Sequence, residues 1–150
     1  MQKKVSALIA VRSGSVRVKN KNIRTFNDST LLELKIKQLQ SVKEINDVVV
    51  NSNSDEMLSI AKNLGARTVK RDDYYASNTI SMSSVFEHMA KNMDCENILY
   101  ANCTNPLVST NSYSDAIRIF LNNTSAYDSL GSCHDIKEFL YLDGKALNYD

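Results

Sequence analysis

Glycine is scarce in this chain: there are four in 150 residues, and only Gly14 lies in the loop after the first apolar run. Neither G-x-x-x-x-G-K-[ST] nor G-x-G-x-x-G can be found, so the two common phosphate-binding fingerprints are excluded. Cysteine is rarer still. Cys95, Cys103 and Cys133 form an odd set without metal-type spacing, which reads as reduced, partly buried thiols. No stretch approaches the ~20 apolar residues of a membrane span. The first apolar run is interrupted by Arg12 too soon for a signal peptide. A large charge of one sign is also missing. Lys and Arg total 18 against 17 Asp and Glu, a formal net charge of +1, which argues against a general nucleic-acid or membrane-surface binder. These absences fit a cytoplasmic protein in a reducing compartment. There is no internal repeat and no low-complexity segment.

The length predicts a single domain over 1–150, large enough to hold a real core. Against the near-neutral background one stretch is distinctive. "VRSGSVRVKNKNIR", residues 11–24, carries Arg12, Arg17, Lys19, Lys21 and Arg24 and no acid. The small "RSGS" segment allows backbone N–H groups to turn toward an anion. Arginines add forked donors for phosphate oxygens and lysines add point charges. An anion site is the favoured reading, beside two alternatives: a solvated basic loop, or a nucleic-acid groove. Interleaved aromatics, which the groove would need, are lacking.

Apolar periodicity supplies the frame. Residues 5–11 read as a buried strand. After a loop over 12–29, Leu32, Ile36 and Leu39 recur on one helical face, with Lys35, Lys37 and Gln38 around the other sides and Ser29 or Thr30 as cap. Residues 47–51 are a second strand. A helix follows with Ser54 at its N-cap, Asp55 and Glu56 in its first turn and Gly65 past its end. A short strand spans 66–71 and a helix runs from Ile80 to Met93, burying Val85, Phe86 and Met89. A fourth strand covers 97–102, and a helix over 112–121 carries Tyr113, Ile117, Phe120 and Leu121. "AYDSLGSC" is expected to begin a fifth strand, and Asp143-Gly144 to turn a hairpin. Strands alternating with helices predict an α/β fold of three layers, Rossmann-like, with a mostly parallel sheet and a hairpin near the C-terminus. Ligands of such sheets sit beyond the carboxyl ends of the strands, which singles out the loops 12–29, 51–54, 71–79 and 102–111.

Those loops carry a resemblance. "ALIAVRSGSVRVKNKNIR" resembles the opening signature of the acylneuraminate cytidylyltransferase family, A-R-x-x-S-K-x-x-x-x-K-N-[IL], matching at Arg12, Ser15, Lys21, Asn22 and Ile23. "TVKRDDYYASNTISMSS" is similar to that family's Arg, then Ser-Asp-Thr segment. "YANCTNPLVS" is similar to its L-Q-P-T-S-P-L motif, keeping Thr104 and Pro106. The resemblance implies a nucleotidyltransferase fold and a reaction. CTP and a 2-keto sugar acid (nonulosonic or ulosonic) would give a CMP-sugar and pyrophosphate with Mg²⁺, the anomeric hydroxyl attacking the α-phosphate in line. Such a step asks mainly for positioning and charge neutralisation.

By resemblance Arg12 and Lys21 are the phosphate contacts and catalytic residues. Ser13, Gly14 and Ser15 shape the nucleotide loop, and Asn22 and Arg71 hold the nucleotide. Ser77, Thr79 and Ser81 line the cytosine pocket, where Asn78 or Thr79 could equally be a helix N-cap. Asn102 and Thr104 stand on the sugar-acid side. Three departures accompany the match. Val16 occupies the place of a family lysine, Asn78 that of an aspartate, and the family usually continues with a segment bearing metal ligands, sugar-acid contacts and a homodimer interface. The chain is therefore expected to be the nucleotide-binding part, with metal ligands unknown; Asp72, Asp73 and Asp143 are the acids nearest the site loops. His88 reads as a helix-surface residue and His134 as a residue of the site rim. A nucleotidyltransferase acting on a sugar or alcohol phosphate is the alternative, with an acid expected directly after the fourth strand where this chain has "ANCTNP". A catalytically impaired nucleotide-binding fragment is the other.

Overall fold

The computed structural model describes residues 4–14, 18–133 and 139–148. Strand β1, Val5–Ala10, is buried along almost its whole length, as its continuous apolar run requires. Two short strands, β2 (Thr25–Phe26) and β3 (Ser29–Thr30), pair antiparallel around Asn27, which takes a left-handed φ of 54°. β2 and the first residue of β3 lie inside 12–29, the stretch read from sequence as loop. Helix α1, Leu31–Gln40, starts where the Thr30 hydroxyl accepts from the Glu33 N–H at 3.2 Å. Strand β4, Asp47–Ser52, leads to α2, Asp55–Asn63, capped by Ser54 and ended by Gly65 at φ 75°. Then follow β5 (Arg67–Lys70), a 3₁₀ turn over Asp73–Ala76, α3 (Met82–Lys91), β6 (Asn97–Tyr100), α4 (Thr110–Asn122), and the hairpin β7 (Tyr141–Leu142) and β8 (Lys145–Ala146). The hairpin turns at Asp143 and Gly144, with φ of 49° and 76°, the two positive angles of a type I′ turn.

The main sheet is parallel, in the order β5-β4-β1-β6. The chain steps outward from β1 through β4 to β5, then returns to the other side of β1. The crevice between β1 and β6 is the switch point where such sheets bind ligands. Side chains alternate across the sheet with the period of two. Val5, Ala7, Ile9, Val48 and Val50 face Leu32, Ile36, Leu39, Met57, Ala61, Tyr113 and Ile117, so α1, α2 and α4 form one layer. Leu8 and Val49 face Val85 and Met89 of α3, the other layer. Among the described residues no helix is long and apolar enough to cross a membrane.

Four expectations need correction. Phe86 is 43% exposed, not buried. On its side of the sheet α3 is the one helix packed among the described residues, and the Phe86 ring rests edge-on against Tyr100 at 5.2 Å. The expected fifth strand at 126–133 is absent; these residues are exposed and pair with no strand among the described residues. Their side chains are mostly small or polar, and Tyr127, Asp128, Ser129 and Leu130 instead line a cavity of about 530 Å³ beside β6. The cap of α3 is Ser81, accepting from the Ser84 N–H at 3.2 Å. Asn78 and Thr79 are engaged elsewhere, with Arg12 and Ser77. Finally, Lys35 does not sit on the solvent side of α1: it is 1% exposed, because a polar loop rather than water covers that face.

Candidate functional site

The carboxyl ends of β1, β4 and β5 bring three loops together, and side-chain hydrogen bonds join them. Gly14 takes a φ of 81°, a left-handed turn that favours glycine. Just before it, the Ser13 N–H donates to Asn53 Oδ1 at 3.0 Å and Asn53 Nδ2 donates to Ser13 Oγ at 2.9 Å. The same Nδ2 donates to Asp73 Oδ1 at 2.9 Å, so Asn53 ties all three loops. The Arg12 guanidinium crosses to the segment after β5, donating to the Ala76 carbonyl and to Asn78 Oδ1.

Beside this junction, on the α3 face, lies a cleft of about 310 Å³. Arg12, Arg71, Ser77 and Asn78 supply its polar wall, Ile80, Val85 and Met89 its apolar floor, and Tyr75 and Tyr100 its aromatic sides. Arg71 is 5% exposed. Its Nε donates to Asn51 Oδ1 at 2.6 Å and one Nη donates to the Asn51 carbonyl at 2.9 Å. No carboxylate pairs with Arg71 or Arg12 among the described residues. Burial therefore pushes the Arg71 guanidinium below its ordinary range, with a smaller push from the neighbouring Arg12 charge. Burial likewise raises the Tyr100 phenol. An electropositive cleft of mixed polar and apolar lining suits an anion attached to a flat heterocycle.

Of the five cations adjacent in sequence, the four described ones do not converge. Arg12 lines the α3-face cleft. Lys21 lies close enough to Cys103, after β6, to act on its thiol. Lys19 and Arg24 line a separate shallow depression with Glu56 of α2. Ser15, Val16 and Arg17 lie outside the described residues, as does His134.

The other expected residues fall as follows. Arg71 and Ser77 share the cleft with Arg12; the Thr79 hydroxyl stands 3.0 Å from that of Ser77, and the Ser81 hydroxyl is committed to its cap. Asn22 is half-buried, and its carbonyl accepts from the Leu32 N–H at 2.9 Å, tying the basic loop to α1. Asn102 and Thr104 are exposed on the loop after β6, on either side of buried Cys103, whose thiol is pushed by burial up to about 12 and stays neutral. His88 is half-buried, stacked on Tyr75 with ring centroids 3.9 Å apart. Among the described residues no group of three or more His, Cys, Asp or Glu could hold a metal ion. Asp72 caps the 3₁₀ turn through the Tyr74 N–H and Asp73 accepts from Asn53, so one oxygen of each carboxylate is already engaged. Sequence reasoning missed Asn51, Asn53, Tyr75 and Tyr100. The signal for the two asparagines was their place at the carboxyl end of β4, and for Tyr75 its place in the loop 71–79; Tyr100, inside the expected fourth strand, gave none.

Known proteins resemble this chain in sequence and in fold. A family profile described as cytidylyltransferase matches residues 6–144. The CMP-N,N'-diacetyllegionaminic acid synthase of Campylobacter jejuni subsp. jejuni (serotype O:2) is 36% identical over 70 residues, 47% of this chain and 30% of that protein. A pseudaminic acid cytidylyltransferase of the same subspecies (serotype O:23/36) is 26% identical over 126 residues, 80% of this chain and 54% of that protein. The chain thus spans about half the length, or less, of these relatives. The structure of a CMP:2-keto-3-deoxy-manno-octonic acid synthetase complexed with CTP shares the fold, at TM-score 0.71 and 11% identity over 81% of this chain and 49% of that one.

Proposed function

This chain belongs to the cytidylyltransferase family, and on that premise we propose that it binds CTP and transfers CMP to the anomeric hydroxyl of a nonulosonic or ulosonic sugar acid, releasing pyrophosphate. One observation carries the reading. Arg12 and Arg71, neither paired with a carboxylate among the described residues, converge on one cleft at the carboxyl end of β1. Legionaminic and pseudaminic acid stand in the names of the two relatives, which supports a sugar acid as acceptor.

In the proposed step the sugar hydroxyl oxygen bonds to the α-phosphorus and its proton passes to solvent, while the bond to the pyrophosphate oxygen breaks. Charge moves onto the leaving group, so fixed cations lower the barrier. Arg71 is preorganised for this, since Asn51 fixes its guanidinium and leaves further N–H donors for an anion. Arg12 must exchange the Ala76 carbonyl and the Asn78 amide oxygen for phosphate oxygens. Both acceptors are neutral, so a charged phosphate competes favourably. Lys21 would meet the phosphates from the other side of the switch point. Ser77 and Thr79 would meet the base, Asn102 and Thr104 the acceptor. Mg²⁺ belongs to the reading as an ion carried mainly on phosphate oxygens, as is usual for this metal. A homodimer in the cytoplasm completes it.

The test is pyrophosphate release from CTP and Mg²⁺ with a panel of sialic, legionaminic, pseudaminic and octulosonic acids. Turnover with at least one acid is expected. Turnover with a sugar phosphate and with no keto acid overturns the reading in favour of the alternative transferase. CTP binding without turnover restricts it to nucleotide recognition.

A further inference from the structure

Lys35 is a buried charge that the proposed chemistry does not use. No acid pairs with it among the described residues. Its ammonium donates to Gln38 Oε1 at 2.5 Å, to the Asn105 carbonyl at 2.8 Å and to the Tyr113 hydroxyl at 2.8 Å. Those bonds account for all three of its donors. Gln38 continues the pattern, since its amide donates to the Pro106 carbonyl at 3.4 Å and to the Val108 carbonyl. Two side chains of α1 therefore hold three backbone carbonyls of the segment 105–108.

That segment has little to hold itself. The loop 102–108 contains no helix or strand, only turns at 103–104 and 106–107, the first closed by the Asn105 N–H donating to the Asn102 carbonyl at 3.3 Å. At its other end α1 takes the Asn22 carbonyl through the Leu32 N–H. One rigid helix is thus fastened to the basic loop and to the loop after β6, the two sides of the switch point. A lone buried ammonium is an expensive way to pack a helix, because desolvation opposes it. An apolar residue would fill the space at lower cost but would leave the Asn105 carbonyl and the Tyr113 hydroxyl without their donor.

We propose that Lys35 is a positioning residue: together with Gln38 it locks the backbone of 102–108 to α1, so that Asn102 and Thr104 are presented to the acceptor at a fixed distance from the nucleotide loop. The functional half of this inference rests on the proposed transfer to a sugar acid; the structural half does not.

The experiment compares wild type with Lys35→Met and Tyr113→Phe by amide hydrogen exchange, CTP calorimetry and steady-state kinetics. In Lys35→Met, exchange across 102–108 should rise at least tenfold while the β1 and β4 amides are unchanged. KM for the acid should rise at least tenfold, with the CTP dissociation constant within twofold of wild type. Tyr113→Phe, which removes one acceptor and keeps the ammonium, should move the same readouts less. Unchanged exchange across 102–108 in Lys35→Met overturns the proposal, as does a parallel loss of CTP affinity. Should Lys35→Met not fold, Tyr113→Phe decides by the same criterion. If the wild type turns over no acid, the functional reading fails while the exchange measurement still decides whether Lys35 positions the loop.

Discussion

Two cations are buried without a carboxylate among the described residues, one on each face of the sheet. Arg71 lies under the cleft on the α3 face, and Lys35 lies behind the loop after β6 on the α1 face. Both are displaced downward in pKa chiefly by burial. Their donors distinguish them. Lys35 spends all three protons on neutral acceptors of the protein, a closed arrangement. Arg71 is gripped by Asn51 alone among oxygen acceptors and keeps donors in hand beside an open cleft. A buried cation with its bonds complete orders a fold, whereas one with bonds to spare is prepared for an anion.

The sharpest way to break this contrast is Arg71→Met. CTP affinity should fall on the order of 100-fold, the scale of a lost charge-assisted contact of about 1.5–3 kcal/mol. Unfolding free energy should change by less than about 2 kcal/mol, because removing a desolvated charge offsets the Asn51 oxygen left unpaired. Unaltered CTP binding with a large stability loss would put Arg71 in the same class as Lys35. Next in size is Arg12→Ala, expected to weaken CTP about tenfold and to cost roughly 1 kcal/mol of stability, since Arg12 also ties the segment 76–78. Titration calorimetry and denaturant melts read both quantities.

A double variant sharpens the comparison further. Arg71→Met and Lys35→Met act on opposite faces and share no partner, so their effects on stability should add within ~0.5 kcal/mol. A larger coupling would mean that the two loops move as one. The smallest effect is pH-dependent. The folded Lys35 pKa lies below the ordinary lysine value of 10.5, so the unfolded chain binds more protons in the window between the two. Stability of the wild type relative to Lys35→Met should therefore rise as pH approaches 10.5. A fall instead would show that the three acceptors outweigh desolvation.

Several elements were legible because their signals are local. Ser54, Asp55, Glu56 and Gly65 mark both ends of α2, and Asp143-Gly144 marks the hairpin turn. The continuous run at 5–10 marks a strand buried on both faces. Lys35 was misread because a helical wheel records which side is polar and not what covers it. The expected strand at 126–133 failed because a strand exists only with a partner, and no partner stands beside it among the described residues. For the site, Arg12, Arg71 and Ser77 were legible through motif order and meet in one cleft. Tyr75 lies in a loop that the sequence marks, but no spacing relates it to Tyr100, which was not legible.

The sequence by itself determined the alternation of strands and helices, the caps, and the charge of the loop after β1. These depend on residues within a few positions of one another. Only the tertiary structure decided where that charge goes. The four described cations of that stretch reach three different surroundings: Arg12 the cleft, Lys21 the neighbourhood of Cys103, Lys19 and Arg24 the side of Glu56. The cation that completes the cleft, Arg71, comes from 59 residues beyond Arg12 along the chain, brought there by the order of the parallel strands. Strand order is set by burial on both faces of the sheet at once, a condition that no short window of sequence contains.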